Sequence, residues 1–220
     1  MSKEFTGLVI TGGSIDFGFA EEFLKNRIFD KVIAVDGGLA ALHKLHLKPD
    51  AIVGDFDTVN PEILGEYKRE EPSARWDIHK PEKDETDTEL ALNTAISMGC
   101  KELVILGALG GRMDHAIGNI HLLYACLKQG VKASIADEKN WITVIDEGRD
   151  FKAGEVHGRY ISFLPLTGEV KGITLTGFKY PLFKKNISIG TSLCISNELS
   201  ERKGTVEFDS GVLICVESHD

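Results

Sequence analysis

Leu103-Val104-Ile105-Leu106-Gly107-Ala108-Leu109-Gly110-Gly111-Arg112-Met113-Asp114-His115 contains the turn on which the fold depends. A β-branched apolar run gives way to three glycines and then to a polar cluster at the head of a helical pattern. A strand that is apolar at every position is covered on both faces, which is the mark of a parallel sheet. The helical pattern follows at once. Ile117, Ile120, Leu123, Tyr124 and Leu127 recur three and four apart, and Gly130 stops it.

The same unit recurs toward the N-terminus. Leu8-Val9-Ile10, Val32-Ile33-Ala34-Val35 and Ala51-Ile52-Val53 are short apolar runs that enter turns rich in Gly or Asp. Thr86-Asp87-Thr88-Glu89 is a capping box; Leu92, Ala95 and Ile96 continue its helix and Gly99 closes it. Strands alternating with helices predict an α/β domain, an open, mostly parallel sheet flanked by helices. From Trp141 the period changes. Residues 141–145, 160–166, 173–176, 192–196, 205–208 and 212–216 are short strand-like runs with Gly or Asn between most of them, and no amphipathic helix intervenes. That pattern predicts a C-terminal all-β sandwich. The expected domains are 1–137 and 138–220, with the seam in Asp137-Glu138-Lys139-Asn140.

Composition narrows the function. Against 34 Asp+Glu the 220 residues carry 25 Lys+Arg, a net charge of −9. A nucleic-acid binder needs a basic face to displace phosphate counterions, and an anionic membrane surface asks for the same, so neither is an expected partner. No apolar run approaches the roughly 18 residues of a membrane span, and the first ten residues lack a signal-peptide pattern. Four scattered cysteines without a C-x-x-C read as buried thiols, and the expected compartment is the cytoplasm.

Ligands of open α/β sheets bind beyond the carboxyl ends of the strands. There the sequence places Asp36-Gly37-Gly38, Gly54-Asp55-Phe56-Asp57-Thr58 and the glycine-rich run 107–111, while Lys83-Asp84-Glu85-Thr86-Asp87 opens a helix. Crowded carboxylates repel unless a cation sits among them, and oxygen-only ligands select Mg²⁺, Mn²⁺ or Ca²⁺. Asp55 and Asp57, two apart, would reach one ion while Phe56 points to the core. One D-x-D alone is also ordinary turn chemistry; four acidic segments on one rim favour the cation. Amides bared by glycine beside a helix start make an anion cradle, and the Arg112 guanidinium suits phosphate oxygens. Asp114 and His115 would orient Arg112, hold a ribose or base, or cap the helix. Thr11-Gly12-Gly13-Ser14 touches nucleotide or is a plain turn. Carboxylates and a phosphate cradle, without a Ser/His or Cys/His pair, point to phosphoryl chemistry.

These segments, in this order, resemble thiamin pyrophosphokinase (thiamin diphosphokinase). Asp36-Gly37-Gly38, Gly54-Asp55-Phe56-Asp57, Lys83-Asp84-Glu85-Thr86-Asp87 and Gly110-Gly111-Arg112-Met113-Asp114-His115 carry the likeness in the first half. Thr191, Ser196-Asn197-Glu198 and Gly211-Val212-Leu213 carry it in the second. The resemblance implies the reaction ATP + thiamin → thiamin diphosphate + AMP, a catalytic α/β domain that binds ATP and Mg²⁺, and a thiamin-binding β-sandwich. It also implies a homodimer whose active sites are shared between subunits. Carried over, the catalytic acids are Asp36, Asp55, Asp57, Asp84 and Asp87, with Mg²⁺ on Asp55, Asp57 and Asp87. ATP is expected on Lys83, Thr86, Asp87, Arg112, Asp114 and His115, and thiamin on Ser196 and Asn197. Asp36 and Asp84 are both candidates to accept the thiamin hydroxyl proton. Two features depart from the family: Thr58 stands where Ser is common, and Leu199-Ser200-Glu201-Arg202-Lys203 lacks the ring that some members stack on thiamin. Two other readings compete. Asp55-Phe56-Asp57-Thr58-Val59 also fits the D-x-D-x-[TV] of haloacid-dehalogenase-like phosphatases, and a non-catalytic thiamin or nucleotide sensor would keep the fold without turnover.

Overall fold

The computed structural model describes residues 4–57, 59–78 and 84–220. Lys83 and Thr58 lie outside the described residues. The chain divides into two compact units, Met1–Glu138 and Lys139–Asp220.

The first unit alternates strand and helix without exception: β1 (Phe5–Ile10), α1 (Phe17–Lys25), β2 (Lys31–Val35), α2 (Gly38–Lys44), β3 (Ala51–Gly54), α3 (Pro61–Glu70), β4 (Arg75–Ile78), α4 (Asp87–Ser97), β5 (Cys100–Leu106), α5 (Met113–Lys128) and β6 (Lys132–Ala136). The strands are parallel, in the order β4-β3-β2-β1-β5-β6. Val9 pairs with Ile33 on one side and Ile105 on the other, and all three are fully buried. Burying each such side chain contributes about 1.5–3 kcal/mol. The chain runs outward from β1 through β2, β3 and β4, then crosses back to place β5 on the other side of β1. Strand order therefore reverses around β1, and a crevice opens at the carboxyl ends of β1 and its neighbours. All five helices begin at that edge, and the starts of α4 and α5 line the crevice. Thr86 caps α4, its side chain accepting from the Glu89 amide as the capping box predicts, whereas Arg112 starts α5 with no side-chain cap.

The second unit is all β: β7 (Asn140–Ile145), β8 (Arg149–Lys152), β9 (Tyr160–Pro165), β10 (Glu169–Thr176), β11 (Leu182–Ser188), β12 (Lys203–Glu207) and β13 (Leu213–Ser218). β13 pairs antiparallel with β7 and β9, and a second antiparallel sheet runs β11-β10-β12-β8. Phe151 of β8, Phe163 of β9 and Phe178 meet edge-on at 5.6–5.9 Å between ring centroids, joining the two sheets in one core. Edge-to-face packing of rings adds to their burial. The α/β domain and the β-sandwich are thus both present.

Two expectations within the sandwich need correction. Residues 192–196 form a turn rather than a strand. The Thr191 hydroxyl accepts from the Leu193 amide and the Ser192 carbonyl from the Ile195 amide, so local bonds replace a ladder. Conversely β8 and β11 are strands that the apolar pattern did not announce. β11 carries Lys184, Lys185 and Asn186 on an exposed edge. All four cysteines are free and buried. No helix among the described residues is long and apolar enough to cross a membrane.

Candidate active site

At the crevice of the first unit lies a cavity of about 520 Å³. Its walls come from the loops after β1 (Thr11, Gly12, Gly13), β2 (Asp36, Gly37) and β5 (Gly107, Ala108, Leu109, Gly111), from the starts of α4 and α5, and from Asn119. Of the residues expected at a site, Asp36, Thr86, Asp87, Arg112 and His115 line it.

The acidic wall is built by strand register. Val35 and Val53 pair, so the residues that follow them, Asp36 and Gly54-Asp55, leave the sheet side by side. Asp36 adopts the left-handed conformation, φ 43°, which short polar side chains tolerate. Its Oδ1 accepts from the Asp55 amide at 3.0 Å and the Phe56 amide at 3.3 Å, fixing the turn after β3. Gly54 makes room: its φ is 147°, and a Cβ there would stand 1.8 Å from Asp36 Oδ1. Phe56 turns inward as expected, buried with its ring edge-on to Trp76 at 5.8 Å.

Burial, a hydrogen bond with the Asp87 carboxyl and the charges of Asp87 and Asp55 push the Asp36 carboxyl up to about 6, although the Phe56 amide opposes this. Three acids, Asp36, Asp55 and Asp87, therefore crowd together. Asp55, Asp57 and Asp84 are not on the cavity wall; Asp57 and Asp84 are exposed, and the Asp57 amide donates to Asp55 Oδ1. Among the described residues no three His, Cys, Asp or Glu side chains already form a metal cluster.

The start of α5 adds a guanidinium to the wall. Arg112 donates twice to Asp114, Nε to Oδ1 at 3.1 Å and Nη2 to Oδ2 at 2.6 Å. Asp114 thus orients Arg112, and its Oδ1 also accepts from the His115 amide in the first turn of α5. The guanidinium holds the Asp114 carboxyl below its usual range. Asp114 faces a smaller neighbouring cavity with His115, Asn119 and Thr86. Asn119 carried no signal in the sequence, since a lone helical Asn looks like any polar position.

Ser196 and Asn197 lie in the second unit and differ sharply. Ser196 is exposed, at φ 56°, with its amide donating to Ser162 Oγ. Asn197 is 2% exposed; its amide group grips the Tyr180 backbone at both N and O, at 3.0 and 2.9 Å. Its Oδ1 also accepts from the Glu198 amide. The Asn197 side chain is thus committed to holding the loop.

A cavity at the switch point of a parallel sheet, its wall bearing acids, a guanidinium and bared amides, defines an α/β enzyme of phosphoryl or pyrophosphoryl transfer. Residues 23–135 match the thiamin pyrophosphokinase catalytic domain, and residues 145–213 match the vitamin B1 binding domain of the same enzyme. The chain belongs to the thiamin pyrophosphokinase family. It is 38% identical to thiamine pyrophosphokinase from Bacillus subtilis over 86% of this chain and 87% of that one. The crystal structure of thiamine pyrophosphokinase from Bacillus subtilis superposes with a TM-score of 0.87 at 34% identity, covering 98% of this chain and 99% of that chain. That of thiamin pyrophosphokinase from Geobacillus thermodenitrificans gives 0.84 at 30% identity, covering 98% of each.

Proposed function

We propose that the chain is a thiamin diphosphokinase that moves the pyrophosphoryl group of ATP to the hydroxyl of thiamin, releasing AMP. Family membership supports the reaction, and the placing of Asp36 and Asp87 on the wall of a glycine-lined cavity, with the Asp55 amide held by Asp36, is the observation that carries the site. The first unit is the ATP domain and the second the thiamin domain. The D-x-D phosphatase reading falls away, because the run follows the third strand and the family accounts for the remaining motifs.

The donor set fits Mg²⁺. It is all oxygen, and its crowded charge favours a cation. Mg²⁺ takes one or two carboxylates plus phosphates and water rather than a preformed protein cage. Asp55, Asp57 and Asp87 would hold it, and bound there it would neutralise the phosphate oxygens. Arg112, steadied by Asp114, pairs with phosphate oxygens; Thr86, His115 and Lys83 complete the nucleotide contacts. The thiamin oxygen bonds to the β-phosphorus while the bond from that phosphorus to the α,β-bridging oxygen breaks, and AMP leaves with that oxygen. Asp36 takes the hydroxyl proton rather than Asp84, because Asp36 lines the cavity and Asp84 does not. Ser196 meets thiamin, and Asn197 shapes the loop that presents it.

The same reading makes the enzyme a homodimer in which ATP held by one copy meets thiamin held by the other. It also puts the enzyme in the cytoplasm, in keeping with four free thiols. Incubation with ATP, Mg²⁺ and thiamin, followed by chromatography, tests the reaction. AMP and thiamin diphosphate in equal amounts, both lost with a chelator, are expected. ADP with thiamin monophosphate, or phosphate without phosphorylated thiamin, would overturn it.

A further inference from the structure

The turn between β5 and α5 is tied down by its carbonyls. The Leu106 carbonyl accepts from the Thr11 amide at 2.9 Å, and the Gly107 carbonyl accepts from the Gly13 amide at 2.9 Å and from the Thr11 hydroxyl. The Ala108 carbonyl accepts from Asn119 Nδ2 at 2.9 Å, and the Gly110 carbonyl from the Ser14 hydroxyl at 2.8 Å. The side-chain donors come from the loop after β1, 96 residues away in sequence, and from α5, eleven residues on. Thr11 and Asn119 are 5% and 9% exposed, so these bonds are sheltered from water. Contact is backbone to backbone: a Cβ on Gly13 would stand 2.1 Å from the Gly107 oxygen. Among the described residues, the amides of Ala108, Leu109, Gly110 and Gly111 donate to nothing, and Ala108, Leu109 and Gly111 line the cavity.

A peptide turn whose carbonyls are held by outside donors, as four of the five are here, is free to present its N–H groups to a ligand, and such a nest is an anion site. Left loose, the same turn could rotate a carbonyl into the cavity and repel the phosphate. We infer that Asn119, Thr11 and Ser14 are positioning residues for the triphosphate: by occupying the carbonyls of Leu106, Gly107, Ala108 and Gly110 they hold the turn's amides toward the cavity. This gives the Thr11–Ser14 loop a task that neither of its sequence readings contained. It rests on the reading of the cavity as the ATP site.

The test measures binding of ATP, and competition by inorganic tripolyphosphate, for the intact enzyme and for Asn119→Leu, Thr11→Val and Ser14→Ala. Asn119→Leu and Thr11→Val, which free the Ala108 and Gly107 carbonyls, should weaken ATP and tripolyphosphate by the same factor, about tenfold, the worth of one backbone amide bond to a phosphate oxygen. The thiamin KM should stay unchanged, a split that a general loss of structure would not give. Ser14 is exposed, so Ser14→Ala keeps the fold and decides the matter if the buried variants unfold; it should weaken both ligands in parallel. Unchanged tripolyphosphate affinity in folded Ser14→Ala and Asn119→Leu, with the parent enzyme active, overturns the inference and leaves the function standing. A parent enzyme that binds no ATP overturns the reading of the cavity itself.

Discussion

Gly54 shows how much one hydrogen atom in place of a methyl can matter. The space beside its Cα is filled by the Asp36 carboxylate, which in turn holds the Asp55 and Phe56 amides. Gly54→Ala should leave the fold intact by circular dichroism while kcat falls about 100-fold, as expected when a reacting group is displaced by an ångström. An unchanged kcat would mean that Asp36 is not at work there. Ser196 and Asn197, adjacent in sequence, should part company. Ser196→Ala should raise the thiamin KM more than the ATP KM at unchanged thermal stability. Asn197→Ala should cost about 1–3 kcal/mol in urea unfolding, since it removes a buried side chain that makes two bonds to the Tyr180 backbone. Equal stability of the two variants would contradict the clamp.

At the level of elements, α4 links stability to the site, because the residue after its cap is Asp87. Thr86→Ala should destabilise the protein by about 1 kcal/mol in chemical denaturation and Thr86→Ser should restore it; no loss would show the cap to be dispensable. That helix was legible in the sequence because a capping box, apolar spacing and a closing glycine agree, and α5 was legible from its apolar spacing and Gly130 alone. β1, β2, β3 and β5 were legible as apolar runs buried on both faces. β4 and β11 were not, since Arg75-Trp76-Asp77-Ile78 and the Lys184-Lys185-Asn186 stretch lie at sheet edges where burial imposes no pattern. Residues 192–196 misled in the opposite sense, because Leu193, Cys194 and Ile195 suit a strand until Thr191 and Ser192 take the Leu193 and Ile195 amides. The acids of the site could be read from their place after strands. Asn119 could not, since its partner Ala108 is joined to it only by the fold.

For the molecule as a whole, the shared-site proposal has a direct check. Asp55→Asn disables the ATP half and Ser196→Ala weakens the thiamin half. Mixing the two inactive or impaired variants under subunit exchange should recover activity, because one of the two mixed sites then carries neither change. Activity no greater than the sum of the separate variants would place each site within one chain. The cysteines supply a different handle. Cys100 and Cys126 sit in the first unit, Cys194 and Cys215 in the second, and burial pushes their thiols up to about 11, or about 12 for Cys215. The folded protein should therefore resist a thiol reagent that reacts at once with all four in urea; prompt reaction of the native state would contradict their burial. Once reaction is slow, its rate counts openings. Two silent sulfurs in each unit make the chain its own clock, timing how often each half comes apart while the other stays shut.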